Sequence, residues 1–267
     1  MKTIIAGTDF TASSVNACRY AAMLAGKFGC KLMLFNLFEM PMVHSNSGLF
    51  IMTYDSERDR HERRMSGFIK RLERQFPKVQ IENVVTTGSF KREINNLVKS
   101  HQIEAVIMGL ASKTRINRYI YGSHSTDIAG TIKAPVIIVP ETFKEHSLSY
   151  ILLGVDNQEK LYKSGLRGFE NFLRASKADL SLLHVRTPDE LFAPETVKMK
   201  FNSRLYTTRI VEADDIQAGV ASYVKEHDAD MVAVISRRHS IFYNFFVESH
   251  TKKIAFSSRV PVMSIHE

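Results

Sequence analysis

The chain has 267 residues, 44% of them hydrophobic and 24% charged, a composition that excludes disordered and fibrous proteins and is typical of one or two globular domains. No apolar run approaches the ~18–20 residues of a membrane-spanning helix, and no secretory leader pattern opens the chain, so the cytoplasm is the expected location. The net charge is +8, and two cysteines are too few for a disulfide framework or a zinc cluster.

The positive charge lies almost wholly in the first half of the chain. Residues 1–143 contain 19 lysines and arginines against 12 acidic residues. A basic half is compatible with an anionic ligand, with nucleic acid or with a membrane surface. In the segment 58–74, however, acids alternate with bases at helical spacing, which indicates a solvated helix face.

The first half alternates apolar runs with helical patterns. The runs that predict strands are Thr3–Asp9, Leu32–Leu37, Ala105–Gly109 and Ala134–Val139. The patterns that predict helices are Ser13–Phe28, Asp55–Phe76 and Ser89–His101. Thr11 is available as the N-cap of the first helix. Continuous apolar strands that alternate with helices predict a parallel sheet covered on both faces.

The second half repeats the first in the same order. Its corresponding runs are 151–156, 180–185, 232–236 and 260–265. This repetition indicates a tandem duplication of a doubly wound α/β sandwich, with the two copies joined near residues 141–149. We therefore expect two domains, residues 1–142 and 148–267. The second is reduced, since the helix of Asp55–Phe76 has no counterpart there.

Two loops of the first half are candidates for a ligand site. In an open parallel sheet, ligands bind beyond the carboxyl ends of the strands, where the strand order reverses. One loop is 7–11, which contains Thr8 and Asp9. The other has the spacing Gly109, two residues, Ser112, nine residues, Gly122, followed by Ser123, His124 and Ser125. Glycine lets backbone amides approach a phosphate, and a helix start offers free amides.

These residues resemble the universal stress protein family, and specifically its tandem two-domain members. The resemblance covers essentially the whole chain and implies two parallel five-stranded α/β domains, with a nucleotide site in the first. It implies that Asp9 faces the adenosine, that Asn36 lies near the base and that Met108 and Gly109 line the nucleotide. The implied phosphate-holding residues are Gly122, Ser123 and Ser125. The other implied nucleotide-binding residues are Thr8, Ser112 and His124.

The sequence also departs from the family's motif. The nucleotide-binding members have glycine where this chain has Ser112, whose Cβ restricts positive φ. In the second half, Ser236 stands at the expected place of Gly109, Glu248 stands near that of Gly122, and the loop contains no glycine. A carboxylate at the mouth of a phosphate site repels the ligand. We therefore expect no nucleotide in the second half, and a contact role for its aromatic cluster 241–246.

The resemblance further implies partners and an activity. The ligand is ATP or another adenine nucleotide, with or without Mg²⁺, and the function is nucleotide-responsive stress regulation rather than catalysis. The last strands, Val136–Val139 and Val262–Ile265, pair across the chain as a built-in pseudo-dimer, and a homodimer and an unidentified protein partner are also expected. Three alternatives stay open: a slow ATPase or autophosphorylating protein with Ser123 or Ser125 as acceptor, a nucleotide-free scaffold, and, ranked last, a nucleic-acid binder.

Several residues have plainer interpretations. Asp9 and Asp156 each fit a turn that caps the following helix. His124 and His250 occupy matching places in the two repeats, but neither has another ligand at metal spacing, so no metal is predicted. Cys18 lies on the apolar face of the first helix and is predicted to be core, whereas Cys30 is expected to be partly exposed.

Overall fold

The computed structural model describes residues 1–39, 54–110, 132–144, 146–155, 166–188, 198–236 and 259–266. Its helices are α1 (Ala12–Phe28), α2 (Tyr54–Gln75), α3 (Phe90–Ser100), α4 (Arg167–Ser176) and α5 (Ile216–His227). The strands of the first half are β1 (Thr3–Gly7), β2 (Lys31–Leu37), β3 (Ile81–Thr86), β4 (Ile103–Leu110) and β5 (Val136–Pro140). Those of the second are β6 (Tyr150–Gly154), β7 (Asp179–Arg186), β8 (Lys198–Phe201), β9 (Arg204–Glu212), β10 (Met231–Ser236) and β11 (Val262–His266).

The strands form one 11-stranded sheet with the order β3-β2-β1-β4-β5-β11-β10-β6-β7-β9-β8. Within the first half all pairings are parallel, and the chain moves outward from β1 to β3 before β4 returns to the other side of β1. The second half repeats this arrangement around β6, with β7 and β9 on one side and β10 and β11 on the other. The doubly wound architecture predicted from the sequence is confirmed.

Helix α1 shows why the sequence folds locally as predicted. Thr11 caps its N-terminus, because the side chain accepts a hydrogen bond from the backbone N–H of Ser14. The helix ends at Gly29, whose φ of +64° is the left-handed conformation that glycine adopts at little cost. Between these ends, small side chains pack on the sheet, among them Ala17, Cys18 and Ala21, which are fully buried.

Two layers of helices cover the sheet, and each layer runs through both halves of the chain. Residues of α1, α2 and α4 belong to one buried cluster, and residues of α3 and α5 belong to another. Both clusters contain apolar side chains of the first and the second half. The two repeats therefore share their cores. No helix in the described part of the chain has the length and apolarity needed to cross a membrane.

The halves meet at their last strands, as expected from the resemblance. β5 and β11 pair antiparallel with Ile137 opposite Met263. Above this seam α1 contacts α4, where the rings of Phe28 and Phe172 meet edge to face with centroids 5.1 Å apart. The connection between the halves is fixed by Asp230, whose Oδ2 accepts from the amides of Ser149 (2.6 Å) and Tyr150 (2.9 Å).

The second half differs from its predicted form by an additional strand. β8 pairs antiparallel with β9 at the edge of the sheet, whereas the expectation was five parallel strands and nothing more. Exposed and buried residues alternate along β8, with Met199 and Phe201 buried in the core. This period of two is the pattern of an edge strand with one solvated face. The described part of the β7–β9 connection therefore contains a strand, where the first half has α2.

The strand register corrects one equivalence drawn from the sequence. Val106 lies opposite Val136, and Val232 lies opposite Val262. Counting on from these pairs, Gly109 corresponds to Ile235 rather than to Ser236. Because side chains alternate between the faces of a strand, a shift of one residue moves every side chain to the other face. An apolar side chain thus stands where the first half has glycine.

Candidate functional site

The strand order defines one place in the first half where a ligand is expected. β1 lies between β2 and β4. After β1 the chain continues to β2 on one side, and after β4 it continues to β5 on the other side. The carboxyl ends of β1 and β4 are therefore the place where an open parallel sheet is expected to take a ligand. Thr8 and Asp9 follow β1, and Gly109 and Leu110 end β4.

The β1–α1 turn is rigid and contains a strained residue. Thr8 is fully buried, its amide donates to the carbonyl of Phe35 (2.8 Å), and its Oγ1 accepts from the amide of Phe10 (3.0 Å). Phe10 has a φ of +63°, a conformation that bulky side chains rarely adopt. Its ring lies against α2, with the Arg64 guanidinium 4.4 Å from the ring centroid and Phe68 edge to face. Such strain is common at functional sites.

Asp9 forms a turn, as the plainer interpretation expected, but it does not cap α1, whose N-cap is Thr11. Its Oδ1 accepts from both the amide (2.9 Å) and the hydroxyl (2.6 Å) of Thr11. Its own amide contacts Ser14 Oγ at 3.3 Å. Within the described residues, no hydrogen bond reaches Oδ2. Asp9 is half-buried, so it holds the turn through one oxygen and presents a second acceptor at the edge.

Asn36 is buried and joins three elements rather than lining an open surface. Its exposed fraction is 1%. Nδ2 donates to the carbonyl oxygen of Thr8 (2.7 Å), and Oδ1 lies 2.7 Å from Nδ1 of His61. The amide therefore links β2 both to the turn after β1 and to α2. Each such bond contributes about 1 kcal/mol, and breaking one leaves a buried polar atom unpaired at a larger cost.

His61 is a site residue that the sequence interpretation missed. Its ring stacks on Phe38, with centroids 5.1 Å apart and the planes inclined by 26°, and its centroid lies 6.5 Å from that of Phe10. Burial is the main cause that lowers its pKa, helped by the positive charges of Arg60 and Arg64 and opposed by Glu57. The signal was present in the sequence, because the buried stripe of α2 continues toward its N-terminus through His61 and Glu57 at helical spacing.

Met108 and Gly109 both have packing roles at the end of β4. Met108 is fully buried, and its Sδ would lie 2.6 Å from a Cβ placed on Gly7. A Cβ on Gly109 would lie 2.4 Å from the carbonyl oxygen of Ser13. Glycine therefore lets the start of α1 approach the end of β4. Any contact of Met108 with a ligand at the edge would come from its backbone.

The remaining predicted residues lie outside the described part of the chain. They are Ser112, Gly122, Ser123, His124 and Ser125, together with the loop bases Lys113, Arg115 and Arg118. The same holds for Asp156, His250 and the aromatic cluster 241–246 of the second half.

The corresponding edge of the second half keeps part of this arrangement. Val155 donates its amide to Leu183 O (2.9 Å), as Thr8 does to Phe35. His184 takes the place of Asn36, and its Nδ1 lies 3.1 Å from the carbonyl oxygen of Val155. Val155 lacks the hydroxyl of Thr8, however, and Ile235 replaces Gly109. The two edges share a topology but differ in their polar groups.

Cysteine and metal chemistry have no visible role in the described residues. Cys18 is fully buried, as predicted, and burial raises the pKa of its thiol to about 12. Cys30, expected to be partly exposed, is only 4% exposed, because it packs into the buried cluster that contains residues of α1 and α2. Across the described ranges, no group of three potential metal ligands occurs.

Among solved structures of other proteins, several are similar to this chain. A universal stress protein from Archaeoglobus fulgidus DSM 4304 has 15% identity and a TM-score of 0.65, with 98% of this chain and 97% of that chain covered. A putative universal stress protein from Pseudomonas aeruginosa UCBPP-PA14 has 9% identity and a TM-score of 0.56, with 100% and 93% covered. A universal stress protein described in complex with cAMP has 18% identity and a TM-score of 0.38, with 52% and 96% covered.

Among curated protein sequences, no relative matches the chain. At these identities the likeness to the two full-length structures shows the fold alone. The family assignment comes from the sequence profile described as "Universal stress protein family", which matches residues 1–140 and again residues 149–266. The chain belongs to the universal stress protein family, and it contains two copies of that family's domain in tandem.

Proposed function

We propose that the first half of this chain binds ATP or another adenine nucleotide at its carboxyl edge, and that the protein acts as a nucleotide-responsive regulator or interaction module in a stress response. The observation that supports this most is the strand order, in which β1 lies between β2 and β4. The order of the strands reverses at β1 and β4, where α/β sheets take their ligands. The loop that follows β4 has the glycine and serine spacing of a phosphate site.

The rest of the proposal follows from the two repeats. The domains are residues 1–142 and 148–267, and the second does not bind nucleotide. The phosphates contact Ser112, Gly122, Ser123, His124 and Ser125. Asp9 and the backbone of Met108 and Gly109 contact the nucleoside, while the buried Thr8 and Asn36 hold that end of the site in place. Mg²⁺ accompanies the nucleotide, the protein is cytoplasmic, and two chains assemble into a homodimer.

A second candidate is a pseudo-dimeric scaffold without nucleotide. It is favoured by Asp9 and Gly109, since both have sufficient structural roles. Asp9 holds the turn before α1 through Thr11, and Gly109 lets the first turn of α1 pack on β4. Hydrolysis or autophosphorylation on Ser123 or Ser125 remains a third, weaker candidate.

Isothermal titration with ATP and Mg²⁺ tests the proposal. We expect saturable binding with one site per chain, because only the first half has the phosphate-loop glycine. Gly122→Glu, which copies Glu248 of the second half, is expected to weaken binding by roughly a hundredfold or more through charge repulsion. Asn96→Glu, on the exposed surface of α3, is the control for added charge. A wild-type protein that does not bind at millimolar ATP would favour the scaffold instead.

A further inference from the structure

We propose that His61 reads the base of the bound nucleotide, with its Nε2 accepting a hydrogen bond from the exocyclic amine of adenine. This inference rests on the nucleotide site proposed above and adds to it the group that selects the base. The geometry supporting it lies in the contacts of β1, β2 and α2, all within the described part of the chain.

The direction of the nucleotide follows from the order of the strands. The glycine and serine residues suited to phosphates come after β4, on one side of β1. An extended nucleotide with its phosphates there spans the end of β1, and its base points to β2 and α2 on the other side. Phe38 follows β2 and His61 lies on α2, with their rings stacked at that edge. His61 is only half-buried and is therefore accessible to a ligand.

The hydrogen bonds of Asn36 fix the tautomer of His61. The carbonyl oxygen of Thr8 can only accept, so the amide group that lies 2.7 Å from it must be the Nδ2 donor. The group facing His61 is then the Oδ1 acceptor, and Nδ1 of His61 carries the proton at 2.7 Å. Neutral His61 therefore keeps a lone pair on Nε2. No described residue is hydrogen-bonded to that nitrogen.

An acceptor at this point discriminates between purines. Adenine presents an amino group at position 6, which donates, whereas guanine presents an oxygen, which accepts. The lone pair of Nε2 binds the first and repels the second. A site built to hydrogen-bond one group rejects the analogue that cannot supply it. Asn36 is then a positioning residue, which holds His61 in the tautomer that selects adenine.

The charge state of His61 supports this assignment. The charged groups that act on it are Glu57, Arg60 and Arg64 on α2, and its other neighbours are the uncharged side chains of Phe10, Phe38 and Asn36. Burial lowers its pKa below the ordinary value of 6.5, so the ring is neutral at pH 7. Protonation makes Nε2 a donor, which then favours the oxygen of guanine.

The test is the ratio of ATP to GTP affinity, measured by titration calorimetry on the full chain. The wild type is expected to prefer ATP by roughly tenfold at pH 7.5. The preference is expected to fall toward one or invert at a lower pH, once the pH is below the lowered pKa of His61. The triphosphate groups titrate alike in both nucleotides, so their protonation cancels in the ratio. His61→Gln, whose amide can turn to donate or accept, is expected to bring the ratio close to one while both nucleotides still bind.

His101→Gln is the control, since His101 is exposed at the end of α3 and at the opposite edge of the sheet. Its ratio is expected to equal that of the wild type at both pH values. A purely structural role of His61 would change both affinities together and leave the ratio intact, which would overturn the inference. A wild-type ratio of one at pH 7.5 overturns it as well and leaves the proposed nucleotide site standing. Failure of the wild type to bind either nucleotide overturns both.

Discussion

At the scale of single residues, the carboxyl edge of the first half depends on a few contacts that leave little space. The polar groups of Thr8 and Asn36 form hydrogen bonds within the β1–α1 turn and between this turn, β2 and α2. Gly109 lets α1 start close to the end of β4. The second half has Val155, His184 and Ile235 at these three places. Within the described residues, these three substitutions distinguish the two edges, which share a topology.

The absence of a side chain at Gly109 is testable. A Cβ at this position would lie 2.4 Å from the Ser13 carbonyl oxygen, which is backbone and moves only with the whole first turn of α1. We expect Gly109→Ala to lower the free energy of unfolding by about 1–3 kcal/mol, the usual cost of overpacking. Urea denaturation followed by circular dichroism measures this loss.

Gly67 provides the matched control for that measurement. It lies in α2, and a Cβ there would meet nothing within 4 Å. Gly67→Ala is expected to raise the free energy of unfolding by about 0.5–1 kcal/mol, since alanine favours the helix more than glycine does. If Gly109→Ala and Gly67→Ala changed the free energy of unfolding equally, the contact between position 109 and Ser13 would not restrict the residue at position 109.

At the scale of elements, the sequence predicts most of the fold because the relevant signals are local. The helix α1 is predicted from its apolar spacing and from Thr11, and the structure has it from Ala12 to Phe28. The strands that are continuous apolar runs are also predicted correctly, because their signal lies in neighbouring residues of the sequence. β8 was missed because a strand of four residues with alternating burial is too short for its period to be recognised.

The candidate site is less predictable because it depends on tertiary contacts. The family resemblance implies that Asn36 lies near the base, and the structure has it buried beneath that edge. Its bond to His61 joins residues that are 25 positions apart. That bond forms only when α2 has a particular orientation about its own axis. The burial of Met65, Phe68 and Leu72 against the core sets this orientation. Spacing along the chain does not supply this information.

Helix α4 joins the halves through a contact that can be removed. Phe172 is fully buried and meets Phe28 of α1 edge to face. We expect Phe172→Ala to cost about 3–5 kcal/mol of stability, as in other large-to-small core substitutions. Hydrogen exchange is expected to lose protection in α1 as well as in α4, because both helices pack in one cluster.

The control for this substitution is Leu205→Ala, since Leu205 is 61% exposed on β9. It is expected to change stability by less than about 0.5 kcal/mol. Exchange that increases in the second half alone after Phe172→Ala would contradict a core shared by the two repeats.

At the scale of the whole molecule, the chain is a fused pair of unequal repeats. The antiparallel pairing of β5 with β11 makes one sheet of the two halves, and both helical layers extend across the seam. The nucleotide is proposed for one edge only, because the polar groups of the first half are not repeated in the second. One ligand per pair of repeats is therefore the central claim.

The most direct test is to identify and count what the protein holds. The full chain is purified without added nucleotide, loaded with excess ATP and Mg²⁺, freed of unbound ligand by rapid gel filtration, and denatured. The released molecules are then quantified by liquid chromatography and mass spectrometry. We predict one adenine nucleotide per chain for the wild type and none for Gly122→Glu. Two nucleotides per chain, or equal amounts from both proteins, would contradict the assignment of the site to the first half.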